Sequence, residues 1–205
     1  MLEEVLLAGF GGQGILSTGM LLAYAALAEG LHVAWIPSYG PEMRGGTANC
    51  GVTVSDAPIS SPLVVEPTTL IAMNGPSLDR FEPAVKPGGL IIYNASLINR
   101  RPVRADVRAL AVRANEIAEG IGNVQVAANV MLGAFLELTR VASLGKAGEA
   151  LAKVLPPRRH HLIPANLRAL EEGARIAREA GTKERMKAMN KVWGQNSEFR
   201  IQKPE

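Results

Sequence analysis

The residues Gly9-Phe10-Gly11-Gly12-Gln13-Gly14 fit the pattern G-x-G-x-x-G. They follow a short apolar run, Glu4 to Ala8, and open a helical pattern that extends from about Gly14 to Glu29. Between a strand and a helix, glycines let backbone N–H groups approach an anion, and the helix dipole adds favourable potential there. The chemistry such spacing serves is phosphate or pyrophosphate binding, although a tight packing turn without a ligand uses the same glycines. A P-loop would need Lys after Gly14, where Ile15 stands. A nicotinamide dinucleotide fold would place an acid at the end of the second strand, which here reads Trp35-Ile36-Pro37-Ser38. Arg44 could meet a 2′-phosphate, so a free-standing NADP-dependent oxidoreductase stays open, as does a regulatory nucleotide-binding module.

The second chemistry-bearing segment runs from Pro37 to Thr47 and contains Ser38, Tyr39, Gly40, Glu42, Arg44, Gly45 and Gly46. It follows the second strand, at the carboxyl edge where open parallel sheets bind ligands. Glu42 and Arg44 by themselves would read as a solvated surface pair. The surrounding glycines and prolines favour a shaped functional loop. No catalytic acid or base is assigned to either motif. His160-His161 beside Arg158-Arg159 reads as a solvated pair, because two adjacent histidines without a third ligand make a poor metal site; none is expected. Cys50, inside an apolar strand, reads as a small core residue.

The elements that must position these residues follow from periodicity. Strands are expected at Glu4–Ala8, His32–Ile36, Ala48–Ser55, Leu70–Met73, Leu90–Tyr93 and Val107–Val112. A short helix or turn is expected at Ser77–Val85, and helices at Ala114–Ile121, Val124–Thr139, Gly145–Leu155 and Pro164–Ala180. The fold class is therefore α/β: a mostly parallel sheet with flanking helices, a Rossmann-like strand–helix–strand opening with parallel strands, and a helical C-terminal part. The first helix is apolar nearly all round between Met20 and Ala28, so a second layer or a partner must cover it. The expected division is a domain over 1–180 and an extension over 181–205. In the extension, Met186, Met189 and Trp193 would align on a docked helix if it is not a mobile tail.

With 205 residues, 47% hydrophobic and 20% charged, the chain can bury a core without staples. One cysteine excludes an internal disulfide framework and cannot ligate an iron–sulfur cluster by itself, which favours a reducing, cytoplasmic setting. No apolar run is long enough for a membrane span, and acidic Glu3-Glu4 stand where a signal peptide would be basic. From Pro157 onward 11 Lys and Arg stand against 6 Asp and Glu. Without interleaved aromatics that excess reads as a solvated helical face or docking surface, not a nucleic-acid platform.

GFGGQG followed by PSYGPEMRGGTANC resembles the gamma subunit of the 2-oxoacid:ferredoxin oxidoreductases, the pyruvate/ketoisovalerate oxidoreductase gamma family, and especially the 2-oxoglutarate type. Asn74, the GGLIIYN segment ending at Asn94, Asn129 and Asn166-Leu167 resemble the family's order too, so the likeness spans roughly Leu2 to Ala180. The resemblance implies a subunit, inactive alone, of a thiamine-diphosphate-dependent enzyme that forms acyl-CoA, CO2 and reduced ferredoxin. It further implies that the gamma part assists coenzyme A binding through Gly9, Gly11, Gly12, Gln13, Gly14 and the Ser38–Gly46 loop. Thiamine diphosphate, magnesium and iron–sulfur clusters would lie on partner subunits, since no G-D-G motif occurs here. The implied partners are catalytic alpha and beta subunits, a ferredoxin-like delta subunit and ferredoxin. The apolar first helix adds self-association of the isolated chain.

Overall fold

A computed structural model describes residues 1–39 and 47–197, with side chains described over 1–38 and 47–182. A six-stranded sheet is built from β1 (Leu2–Phe10), β2 (His32–Tyr39), β3 (Thr47–Ser55), β4 (Thr69–Ala72), β5 (Leu90–Asn94) and β6 (Arg108–Val112). Their spatial order is β2-β3-β1-β4-β5-β6. β1, β4, β5 and β6 pair in parallel, whereas β3 lies antiparallel between β1 and β2. Every strand except β3 therefore runs the same way, as a mostly parallel sheet requires. The opening unit keeps β1 and β2 co-directional but not adjacent. The inserted β3 holds the end of β2 two strand spacings, roughly 10 Å, from the end of β1.

Alternation along the strands sorts the side chains onto two faces. Val5, Leu7, Cys50, Val52, Ile71 and Ile92 meet a layer made of α1 (Ile15–Ala28), α3 (Ala114–Ile121), α4 (Ala127–Thr139), α5 (Leu144–Val154) and α6 (Ile163–Ser197). Leu6, Ala8, Leu70, Ala72, Ile91 and Tyr93 meet a thinner cover that includes α2 (Gly75–Phe81) and Ile98. On that second face the buried carboxylate of Glu82 accepts from Arg100 Nη1 at 2.8 Å and from the backbone N–H groups of Val103 and Arg104, which ties the 100–104 segment down.

The near-uniform apolarity of α1 is explained by its neighbours. Gly19 sits so close to β3 that a Cβ would lie 2.4 Å from Cys50 Sγ. Its other buried positions, including Leu21, Leu22, Ala25 and Ala26, pack between the sheet and the helical layer. One stripe stays open: Met20, Ala23, Tyr24 and Leu27 form with Val33 and Trp35 a groove of about 340 Å3. Second layer and open face thus coexist on one helix.

α4 is buried from Ala127 through Leu136 and lies against α6 at backbone distance. A Cβ on Gly133 would meet the Leu170 carbonyl oxygen at 2.0 Å, and one on Gly173 the Val130 carbonyl oxygen at 1.8 Å. α6 does not stop at Gly181 as expected but continues to Ser197. A single interior glycine costs about 1 kcal/mol relative to alanine, too little to end a helix flanked by good helix formers. The side chains of Met186, Met189 and Trp193 lie outside the described residues. Within the described part the basic stretch is a solvated face: Arg175 pairs with Glu172 and Glu179, and Arg178 with Glu137. No helix among the described residues is long and apolar enough to cross a membrane.

Candidate functional site

The turn from β1 into α1 is shaped by its own side chain. Gln13 N–H donates to the Phe10 carbonyl at 3.1 Å, and Gln13 Oε1 folds back to accept from Phe10 N–H at 2.7 Å. Asn74 Nδ2, at the end of β4, donates to the same oxygen at 3.1 Å. Gly9 leaves room for this staple, because a Cβ there would lie 2.6 Å from Gln13 Oε1. Gly12 and Gly14 take φ of 94° and 81°, the left-handed region that strains other residues. Gly14 is the N-cap of α1, and no side chain caps it. The first-turn N–H groups of Ile15, Leu16 and Ser17 have no intrahelical partner, as at any helix start.

These groups open onto a cavity of about 430 Å3. Gly11, Gly12 and Gly14 form one wall, the 123–126 segment and the end of α5 another, and the turn Pro157–Leu162 the third. Arg159, an exposed residue, lines the cavity, and no described carboxylate pairs with it. A helix N-terminus and a cation on one cavity are chemistry that suits an anion. Deeper in the cavity lie Thr18, Asn129 and Asn166, all buried and linked to one another by hydrogen bonds.

Of the residues expected from sequence, the glycines and Gln13 come together as one turn, with Gln13 holding it from inside. Ser38 is exposed on β2, and Tyr39 ends that strand. Gly40, Glu42, Arg44, Gly45 and Gly46 lie outside the described residues. The ends of that loop are fixed, however: Thr47 pairs with Phe10 and Tyr39 with Ala48, so both motifs start from the same edge of the sheet. Because β3 separates β2 from β1, the ribose-holding position of a dinucleotide fold is displaced from the glycine turn, which weakens the NADP reading.

Cys50 is buried in β3, and burial pushes its thiol up to about 12. It is a core residue, not a nucleophile. His160, in the 157–162 turn, has its Nε2 2.9 Å from the Leu155 carbonyl oxygen at the end of α5. Sequence reasoning missed Arg159, Gln125, Asn123 and Thr18 as cavity residues, and it registered Asn129 and Asn166 only for their order. The available signal was an asparagine in an otherwise apolar helical run, Ala-Ala-Asn-Val-Met-Leu around Asn129, where a polar side chain must find a buried partner.

The family described as Pyruvate ferredoxin/flavodoxin oxidoreductase matches residues 4–176. The chain belongs to this family. The ketoisovalerate oxidoreductase subunit VorA of Methanothermobacter thermautotrophicus is 43% identical over 176 residues, covering 86% of this chain and 36% of VorA. The 2-oxoglutarate synthase subunit KorC of Methanothermobacter marburgensis is 37% identical over 166 residues, covering 77% of this chain and 88% of KorC. The solved gamma subunit of a keto/oxoacid ferredoxin oxidoreductase from Geobacter sulfurreducens shares the fold with a TM-score of 0.74 at 28% identity, covering 85% of this chain and 98% of that one. This oxidoreductase-family chain thus spans little more than a third of the length of VorA and most of the length of KorC.

Proposed function

We propose that the chain is the gamma part of a thiamine-diphosphate-dependent 2-oxoacid:ferredoxin oxidoreductase of 2-oxoglutarate type, contributing to coenzyme A binding and to assembly and inactive alone. The observation that carries the reading is the cavity lined by the uncapped start of α1 and by Arg159, at the sheet edge from which both glycine-rich motifs start; its groups suit an anion. Coenzyme A brings a pyrophosphate and a further phosphate, and the turn's N–H groups with the Arg159 guanidinium would hold one of them. Thiamine diphosphate, held on a partner subunit, would supply the decarboxylation chemistry. The functional body is assigned to 1–180, with 181–205 as an extension. The open stripe of Met20, Tyr24 and Leu27 is the face we assign to a catalytic subunit, or to a second copy when the chain is alone.

The test is reconstitution with the catalytic subunits and an assay of CoA-dependent viologen reduction, offering 2-oxoglutarate and 3-methyl-2-oxobutanoate in parallel. Activity only in the complex, with 2-oxoglutarate preferred and the KM for coenzyme A raised by Arg159→Ala, supports the reading. Preference for the branched oxoacid, which the likeness to VorA favours, would move the chain to the ketoisovalerate type. Turnover of NADP(H) by the isolated chain would replace the subunit reading with the free-standing enzyme.

A further inference from the structure

The inner wall of the cavity is a chain of uncharged side chains drawn from three helices. Thr18 Oγ1 on α1 donates to Asn129 Oδ1 on α4 at 2.9 Å. Asn129 Nδ2 donates to Asn166 Oδ1 on α6 at 2.6 Å, and Asn166 Nδ2 donates to the Leu162 carbonyl at 2.7 Å. The three side chains are 3%, 8% and 7% exposed. Leu162 closes the Pro157–Leu162 turn, the segment that carries Arg159. The hydrogen bonds therefore run without a break from the first turn of α1 to the segment bearing the cation.

That turn runs directly into α6 and is otherwise held by local bonds. None of its residues is buried. Its other hydrogen bonds include Arg159 N–H to Pro156, Ile163 N–H to His160 and His160 Nε2 with Leu155, all within the same stretch of chain. Burying three polar side chains adds little net stability over an apolar core of the same shape. What a satisfied network adds is a single geometry, where apolar side chains alone tolerate sliding. Its members are neutral, so they leave the field at the cavity mouth to α1 and Arg159.

We infer that Asn129 and Asn166 are positioning residues: they fix the Arg159 turn across the cavity from the start of α1, and so set the affinity for a phosphate-bearing ligand. This rests on the coenzyme A reading above. Asn166→Asp tests it with almost no change of volume, because the introduced carboxylate still accepts from Asn129 but, ionised, cannot donate to Leu162. In the reconstituted complex the KM for coenzyme A should rise about tenfold, the scale of one lost hydrogen bond in its context, with kcat and the 2-oxoacid KM within about twofold. In the full chain, amide exchange over 157–162 should accelerate by a similar factor while β1 and α1 stay protected. The introduced charge itself weakens phosphate binding, so the exchange at 157–162 and the uncharged Thr18→Val carry the discrimination. Thr18→Val, which removes only the outermost donor, should act in the same direction by about threefold and carries the test if Asn166→Asp fails to fold.

Arg159→Ala separates the two layers of the argument. It should raise the KM for coenzyme A without changing exchange at 157–162. If it raises KM while Asn166→Asp, or Thr18→Val in its place, leaves KM or exchange as in the native protein, the positioning role is wrong and the coenzyme A site stands. If Arg159→Ala leaves KM unchanged, the cavity is not the coenzyme A site and the inference falls with it.

Discussion

Three helices start at the carboxyl edge of the same sheet, and their first turns are finished in different ways. After β4, Asn74 Oδ1 accepts from Ser77 N–H at 2.9 Å and caps α2. The start of α3 is held by Asn94 Oδ1, which accepts from Ala114 N–H, and by Ser96 Oγ, which accepts from Asn115 N–H, both at 3.2 Å. After β1 the cap position is Gly14, and no side chain supplies an acceptor. The same geometry is closed twice and left open once, and the open start is the one beside the cavity and Arg159. Buried side-chain polarity follows the same division. A charged pair, Glu82 with Arg100, holds the remote face, whereas neutral amides line the cavity. An anion site keeps its positive potential when no fixed carboxylate competes for it.

Four measurements would break or sharpen this contrast. The largest effect is expected where the inner wall is built. Gly173→Ala forces a Cβ into the Val130 carbonyl and should lower stability by about 3 kcal/mol in urea unfolding, as overpacking at a backbone contact does. A near-native midpoint would mean that α4 and α6 are not in contact at this glycine. Next comes a closed start. Asn94→Ala strips acceptors from Ala114 and Ser96 and should cost about 2 kcal/mol, yet leave the KM for coenzyme A unchanged. A raised KM would show that the closed and open starts are coupled.

Closing the open start should act on the KM instead. Gly14→Asp keeps a residue type that tolerates left-handed backbone better than most, and it puts a carboxylate at the helix N-terminus, where the dipole favours it. The left-handed backbone still strains the new residue, so stability should fall by about 1 kcal/mol while the KM for coenzyme A rises about tenfold or more, read from initial rates. Unchanged affinity would remove the start of α1 from the site. The smallest effect is at Cys50. With the thiol pushed up to about 12 by burial, the native protein should resist alkylation at pH 8 and react once unfolded. Rapid modification of the folded chain would show that α1 does not seal β3.

Much of the fold was legible because it is written in local patterns. Buried on both faces, β4 and β5 appear as continuous apolar runs, and the α1 helix follows its glycines as the strand–turn–helix motif requires. The position of β3 was not legible. Alternation reveals a strand but not its neighbours, and pairing Val5 with Val52 is decided by which faces can be buried together. Gly181 misled for a related reason: propensity is a weak prior, and α6 continues through it.

The site divides along the same line. The amino-acid sequence by itself determined the glycine turn, because positive φ at Gly12 and Gly14 and the space beside Gly9 are properties of residues adjacent in the chain. It also determined the family, since two motifs in a fixed order carry that information without coordinates. Only the tertiary structure decided that Arg159 and Gly14 line one cavity, and that Thr18, Asn129 and Asn166 join into one wall across separations of 111 and 37 residues. Such contacts depend on how closely α4 and α6 pack at Gly133 and Gly173, and helix packing is a property of surfaces meeting in space.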